Sequence, residues 1–387
     1  MKDYDVLIIG GGPAGAMAGI ELQKKGLRTC IIEKETFPRT KLCGGMLTQK
    51  SMDLVIRHCP GLDPEDFVVE RTGTVDFYYE GNKLNRFPTR TLYYQTERII
   101  FDDLLIRYYL EQGGTIMQNI FVKAGDIHFK ENTITVDAKK VGYEFLVGAD
   151  GCNGVLCRAA GIKRHDYLCL EGNVPRDPDK EKELRIYFGV ARKGYGWYFP
   201  KKEQYCTGMV GKGSGIIIRD QAERFFKQVS DHVPEGVKGA FIPSGRKLNI
   251  RRLSKNTLPV GDAAGFADPF TGEGLYYAML SGILAADAIS NSAKSKKGNA
   301  LRLYKKNVRP IRQNIRAALF WQKILFFPPV FRAFMKHLQT HTNFALFYLE
   351  KVIGTGEFNY RNFIQVYLKR RSPAVTCKAS ENGALQE

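Results

Sequence analysis

The sequence predicts an α/β fold in which a parallel sheet covered by helices is joined to an α+β second domain with an antiparallel sheet, followed by C-terminal helices. Three observations carry this prediction. Residues 5–33 read as one complete βαβ unit, residues 67–96 and 166 to about 254 alternate apolar and polar positions as half-buried strands do, and residues 273–290 are a long helical stretch rich in Ala, Leu and Ile. A length of 387 residues suggests two or three domains, and 44% apolar content is ample for a sizeable core.

In order, Val6-Leu7-Ile8-Ile9 is wholly apolar, which suits a strand buried on both faces. Gly10, Gly12 and Gly15 supply a G-x-G-x-x-G turn into a helix. The first permits the turn, the second lets a pyrophosphate approach the backbone, and the third lets the helix lie close on the sheet with its N-terminus facing the phosphates. Gly26 ends the helix, Thr29 to Ile32 form the next strand, and Glu33 closes it where a carboxylate accepts hydrogen bonds from ribose hydroxyls. A 2′-phosphate there would meet a negative charge. The unit is Rossmann-like and binds FAD or NAD. A single fingerprint argues against two-nucleotide reductases, because Gly211 to Gly215 follow a sheet pattern and no adjacent strand ends in an acid.

Residues 36–52 form a loop containing Cys43-Gly44-Gly45, and Val75, Phe77, Tyr79, Leu92 and Tyr94 mark antiparallel strands. Arg98 opens a helix that ends at Gly113-Gly114, with strands near 115–122 and 132–137. Phe145 to Gly148 is an apolar strand stopping at Asp150-Gly151, before a helix carrying Arg158. Strands return from 166, among them Tyr195 to Pro200, and Leu258 to Gly265 is a strand running into a loop. The expected division is 1–66 with 97–165 and 255–295 as the FAD-binding domain, 67–96 with 166–254 as the substrate domain, and 296–387 as a basic helical region.

The order G-x-G-x-x-G…Glu33, R-x-x-F-D at Arg98 to Asp102, G-A-D-G at Gly148 to Gly151, and G-D-A-A-G…P-x-T-G-E-G at Gly261 to Gly274 resembles the FAD-binding domain of the p-hydroxybenzoate hydroxylase-like flavoproteins. The resemblance implies that Arg98 and Asp262 contact FAD phosphate and ribityl groups, that Pro269 to Leu275 pass under the isoalloxazine ring, and that Asp150-Gly151 brace the cleft. The implied cofactor-binding residues are Gly10, Gly12, Ala14, Gly15, Glu33, Cys43, Gly44, Met46, Arg98, Val122, Asp262, Gly272, Gly274 and Leu275.

Within that superfamily, Tyr195-x-Trp197-x-Phe199-Pro200 followed by Gly208 resembles the Y-x-W-x-F-P…G-x-G signature of the geranylgeranyl reductase family, with Val210 replacing the second glycine in the turn expected after the strand. Lys41-Leu42-Cys43-Gly44-Gly45 matches its K-x-C-G-G loop, and Gly154 stands where its D-G-x-x-S-x-V-x-R motif has serine, while Arg158 keeps its spacing. The implied chemistry is hydride transfer from flavin to a long prenyl lipid. An isolated double bond is a poor hydride acceptor, so a proton must arrive with the hydride. Cys43 is the leading candidate for shaping or protonating that place, Tyr195 or an ordered water is the rival, and Tyr195 and Trp197 line a hydrophobic tunnel. The external electron donor, NADPH or ferredoxin-type, stays open. The alternatives are a flavin monooxygenase of an aromatic or lipid-like substrate and a membrane-surface flavoprotein relaying electrons to quinone. A halogenase would carry W-x-W-x-I-P, where this chain has Tyr195 and Phe199.

The eight cysteines show neither C-x-x-C nor zinc spacing, no metal is expected, and the early first strand leaves no signal peptide, so the expected setting is the reducing cytoplasm. The apolar stretch 317–335 is interrupted by Gln322, Lys323, Pro328, Pro329 and Arg332, which argues against a spanning helix. Between 291 and 371 stand 17 Lys and Arg against two acids, a surplus of fifteen of the chain's eighteen net positive charges. Arg302, Lys305, Lys306, Arg309, Arg312 and Arg316 recur along one helical side that Pro310 interrupts, followed by Phe320-Trp321, Phe326-Phe327, Phe331, Phe334, Phe344 and Phe347-Tyr348. A basic face beside aromatic segments predicts peripheral attachment at an anionic inner membrane face rather than nucleic-acid binding, with a solvated face over a C-terminal core as the plainer reading.

Overall fold

The chain runs from β1 (Val6–Ile9) through α1 (Pro13–Lys24) to β2 (Thr29–Ile32), then to the short β3 (Met46–Leu47) and α2 (Gln49–His58). This computed structural model describes residues 2–159, 167–176, 182–243, 253–295 and 298–362. A long hairpin of β4 (Val68–Tyr79) and β5 (Asn82–Thr96) leads into α3 (Arg98–Glu111) and β6 (Thr115–Met117). A meander of β7 (Ile127–His128), β8 (Thr133–Val136) and β9 (Lys139–Gly142) precedes β10 (Phe145–Gly148) and α4 (Val155–Ala159). Next come β11 (Tyr167–Pro175), β12 (Leu184–Phe188), β13 (Tyr195–Pro200), β14 (Gln204–Lys212), α5 (Gly215–Val229) and β15 (Glu235–Ile242). After β16 (Thr257–Pro259) the chain is helical: α6 (Leu275–Ala293), α7 (Ala300–Asn307), α8 (Arg309–Leu325), α9 (Pro328–Thr340) and α10 (Thr342–Phe347).

Among the described residues, one sheet is wholly parallel in the order β16-β10-β1-β2-β6. Its central strands are buried at every position because α1, α3 and α6 cover one face and the β7–β9 meander contributes to the core on the other. A second sheet runs β15-β11-β14-β13-β12-β4-β5-β3, antiparallel except where β12 meets β4. That parallel junction marks where the chain leaves for the first sheet and returns. Met46 and Leu47, from the segment expected in the nucleotide layer, form the edge strand of this second sheet.

Three expectations need correction. The segment expected to be all strands contains α5, capped by Ser214 Oγ accepting from the Ile217 N–H and burying Ile218, Ala222, Phe225 and Phe226 against the outer sheet face. Residues 204–212 form the continuous strand β14, so Val210 occupies no turn: it pairs with Tyr195 and Cys169. The helix break falls at Val308, with Pro310 in the first turn of α8, where its missing N–H costs nothing. The boundary at 165–166, Lys296, Lys297 and the basic end beyond 362 lie outside the described residues.

Candidate active site

At the nucleotide end, the three glycines have distinct surroundings. A Cβ on Gly10 would collide with Ala149 O, and one on Gly15 with Gly10 O, so α1 lies directly on the turn. At Gly12 a Cβ would meet only the Arg39 guanidinium, at 3.7 Å, so the backbone there faces open space. Glu33 is buried, accepting from Gly11 N–H at 2.7 Å and Glu35 N–H at 3.2 Å. Arg39 lies 3.7 Å from Glu33 and 3.2 Å from Asp102. Asp102 is 0% exposed and also receives Arg98 in a two-pronged bond of 2.6 and 2.7 Å. Burial lowers the Arg98 pKa, but the Asp102 carboxylate more than offsets it and leaves Arg98 above its ordinary value.

Opposite this end, residues 268–274 form a tightly held loop. Asp268 Oδ1 accepts from Phe270 N–H at 2.8 Å, Thr271 N–H at 3.1 Å and Tyr360 O–H at 3.3 Å. Tyr195 donates its hydroxyl hydrogen to Thr271 O, and Gln322 donates to Pro269 O. Glu273 accepts from Thr48 Oγ1 at 2.8 Å and pairs with Lys50 at 2.8 Å. Burial pushes the Asp150 carboxyl up to about 6, although Leu156 N–H donates to it at 2.9 Å. That carboxyl occupies the space a Cβ on Gly154 would take, which accounts for glycine in the place of serine.

Between the two ends opens one cavity of about 1340 Å³. Its floor is one face of the second sheet, where Val75, Phe77, Ile186, Phe188, Tyr195, Trp197 and Phe199 alternate with residues pointing away. Its roof is Phe331, Phe334 and Leu338 of α9, Phe344 and Ala345 of α10, and Leu349. Thus Phe331, Phe334 and Phe344 pack onto the sheet instead of facing outward, Phe331 meeting the rings of Tyr79 at 5.9 Å and Phe188 at 6.4 Å between centres, while Trp321, Phe347 and Tyr348 pack in a separate cluster with Tyr360. Phe320 and Phe327 do stay exposed, at 57% and 59%.

The structure brings Gly10, Gly12, Ala14, Glu33, Cys43, Gly44, Met46, Arg98, Val122, Tyr195, Trp197, Asp262, Gly272, Gly274 and Leu275 to the wall of this one cavity, with Gly15 behind it. Sequence reasoning missed Arg39, Glu171 and Lys201. Glu171 accepts from Cys43 N–H at 2.7 Å, and Lys201 donates to Thr96 O at 2.5 Å. Neither belongs to a short-range motif, whereas Arg39 could have been suspected as a charged residue in the loop that follows β2.

Comparison with known proteins bears on the same cavity. The profile of the FAD binding domain matches residues 3–59. An uncharacterized protein of Methanosarcina barkeri is 33% identical over 355 residues, spanning 87% of this chain and 88% of its own. The chloroplastic geranylgeranyl diphosphate reductase of Arabidopsis thaliana is 26% identical over 76% of this chain and 67% of its own, and digeranylgeranylglycerophospholipid reductase 3 of Methanosphaera stadtmanae 27% over 76% and 79%. The chain belongs to the geranylgeranyl reductase family of FAD-dependent oxidoreductases. A geranylgeranyl bacteriochlorophyll reductase-like protein of Thermoplasma acidophilum shares the fold with TM-score 0.71 at 22% identity, over 84% of this chain and 88% of that one. A flavin-dependent brominase does so with TM-score 0.69 at 22% identity, over 95% and 99%. With an FAD binding domain over residues 3–59, this chain takes FAD as its cofactor, and the geometry fits: the open space over Gly12 is a cradle that any side chain there would fill.

Proposed function

We propose that this protein saturates carbon–carbon double bonds of a geranylgeranyl-type prenyl lipid. The observation that carries this reading is the continuity of the cavity, which runs from the glycine turn without a partition into an apolar tunnel between the second sheet and α9–α10. Bound and reduced, FAD supplies the hydride. In this reading the α1 N-terminus, Gly12 and Arg39 hold the pyrophosphate, Glu33 the ribose, and Arg98, Asp262 and the 268–275 loop the remainder. Cys43 to Met46 stand where cleft and tunnel meet, and the aromatic floor excludes water and aligns the lipid. A small aromatic substrate, as a monooxygenase would take, leaves most of the tunnel unfilled.

Anaerobic protein reduced by dithionite is expected to reoxidise on addition of a geranylgeranyl lipid and to yield a product heavier by one H₂ per double bond saturated, read by mass spectrometry. Oxygen-dependent hydroxylation of an aromatic compound, with no change in any prenyl lipid, would favour the monooxygenase instead.

The lipid is proposed to enter from a membrane surface. No helix among the described residues is long and apolar enough to cross a membrane. The exposed stripe of α8 instead runs from Arg309 and Arg316 to Phe320, Ile324 and then Phe327, beside the tunnel residues Ile324, Val330 and Phe331. Arg312 is half-buried, so the basic face is narrower than its spacing suggests. Each basic contact with an anionic surface contributes about 1 kcal/mol, so Arg309→Glu with Arg316→Glu should weaken binding at least ~30-fold. Vesicle sedimentation checks this: the wild type is expected to bind anionic vesicles at low salt and to be released by salt, and equal binding by the double variant would refute the orientation.

A further inference from the structure

We propose that Glu171 is the acid that protonates the substrate double bond, held in place by the main-chain N–H of Cys43. This deepens the prenyl-reductase reading and rests on it. Glu171 lies on β11 in the cavity wall, 7% exposed, and its Oε1 is fixed by the Cys43 N–H at 2.7 Å. Its Oε2 is fully buried and has no hydrogen-bond partner among the described residues. An unpartnered buried carboxylate oxygen is costly, whereas a carboxylic acid awaiting a reacting carbon needs this freedom. The sheet register keeps side chains of the neighbouring strand out of the group's place. Gly208 is paired with Glu171 on one side and with Trp197 on the other, and a Cβ there would come 2.8 Å from the Glu171 Cβ and collide with the Trp197 ring.

Among the described residues, the charged and titratable groups that face it are Lys201, Arg98, Cys43, Cys169 and Cys206. Lys201 is tethered to Thr96 O and Arg98 is pinned by Asp102; both pull the Glu171 pKa down, as does the Cys43 N–H, but burial outweighs them and pushes it up to about 7. Burial also pushes up the Cys169 and Cys206 thiols, so they stay neutral beside it. Tyr195, the rival donor, has its hydroxyl hydrogen committed to Thr271 O and its pKa raised by burial. The step balances: with reduced FAD bound, one alkene carbon would take a hydride as the flavin N–H bond breaks, and the other would take the Glu171 proton through the π pair as the π bond and the Glu171 O–H bond break. FAD is left oxidised and Glu171 a carboxylate that regains its proton from solvent.

The test compares wild type with Glu171→Gln, Glu171→Asp and Cys43→Ala, all FAD-loaded, in single-turnover reoxidation by a geranylgeranyl lipid across pH. Because the acid form is lost as pH rises, the wild-type rate should fall about tenfold per unit above pH 7. Glu171→Gln keeps the shape and the acceptor for Cys43 N–H. It should keep FAD and thermal stability yet lose on the order of 10²–10⁴-fold in rate, together with the pH limb. Glu171→Asp should restore part of both, and Cys43→Ala should keep the limb because the main-chain donor remains. Infrared difference spectra of the oxidised holoprotein should show a protonated carboxyl band titrating near pH 7 that Glu171→Gln lacks. Absence of that band, a Glu171→Gln variant with wild-type rate and profile, or loss of the limb in Cys43→Ala would overturn the assignment. A wild type that no prenyl lipid reoxidises would instead overturn the substrate reading, and the assignment with it.

Discussion

Gly12→Val is expected to give folded but colourless protein. The position differs from its neighbours in the fingerprint, because a Cβ at Gly12 meets no backbone and only the end of Arg39 at 3.7 Å. The apoprotein can therefore accept valine with little strain. The same open space lies at the N-terminus of α1, where the proposed pyrophosphate would sit, and the valine side chain fills it. Absorbance should show near-complete loss of flavin, while circular dichroism and the melting curve stay close to those of wild-type apoprotein. Gly15→Val supplies the contrast, since its Cβ would strike Gly10 O and it should lose stability as well as flavin. Full flavin occupancy in Gly12→Val would place the cofactor elsewhere.

Asp102→Ala is expected to produce the largest loss of stability of any single charge removal at this site. The carboxylate is 0% exposed and serves two guanidiniums, Arg98 at 2.6 Å and Arg39 at 3.2 Å, which are themselves almost wholly buried. Removing it leaves the buried Arg98 without its counterion and Arg39 with Glu33 alone, 3.7 Å away, a change worth about 3–5 kcal/mol. Against a total stability of roughly 5–15 kcal/mol, the protein should fold only marginally. Denaturant midpoints of flavin-free protein measure this directly, and Asp102→Asn, which keeps the shape and one acceptor, should fall between. A midpoint for Asp102→Ala within experimental error of wild type would show that water or a rearrangement of Arg39 satisfies the site.

What could be read from the chain beforehand was what is encoded at short range. The β1–α1–β2 unit and Glu33 at its end depend on residues a few positions apart or on runs of one hydropathy, and the structure has them in register. The bond between Cys43 and Glu171 spans 128 residues, and no local pattern announces it. The same limit explains the C-terminal aromatics. Helical spacing says that Phe331 and Phe334 share a face, but whether that face meets a membrane or the chain's own sheet is decided by β4 and β12, more than a hundred residues earlier. Helix α5 was missed for another reason: its signals, Ser214 as cap and Ile218, Ala222 and Phe225 at helical spacing, sit inside a region dominated by strand alternation.

The loop at 268–274 is anchored from three independent bodies: from the sheet by Tyr195, from α2 by Thr48 and Lys50, and from the C-terminal helices and the segment after them by Gln322 and Tyr360. A segment tied in this way cannot report to one neighbour alone. An FAD that orders it would act on α8 and Tyr360, and the proposed lipid, settling the roof, would act back on the loop through the same bonds. Reciprocity then requires that occupancy of the tunnel and retention of the nucleotide change each other by one common factor, so that cofactor loss and substrate loss are two readings of a single coupling free energy.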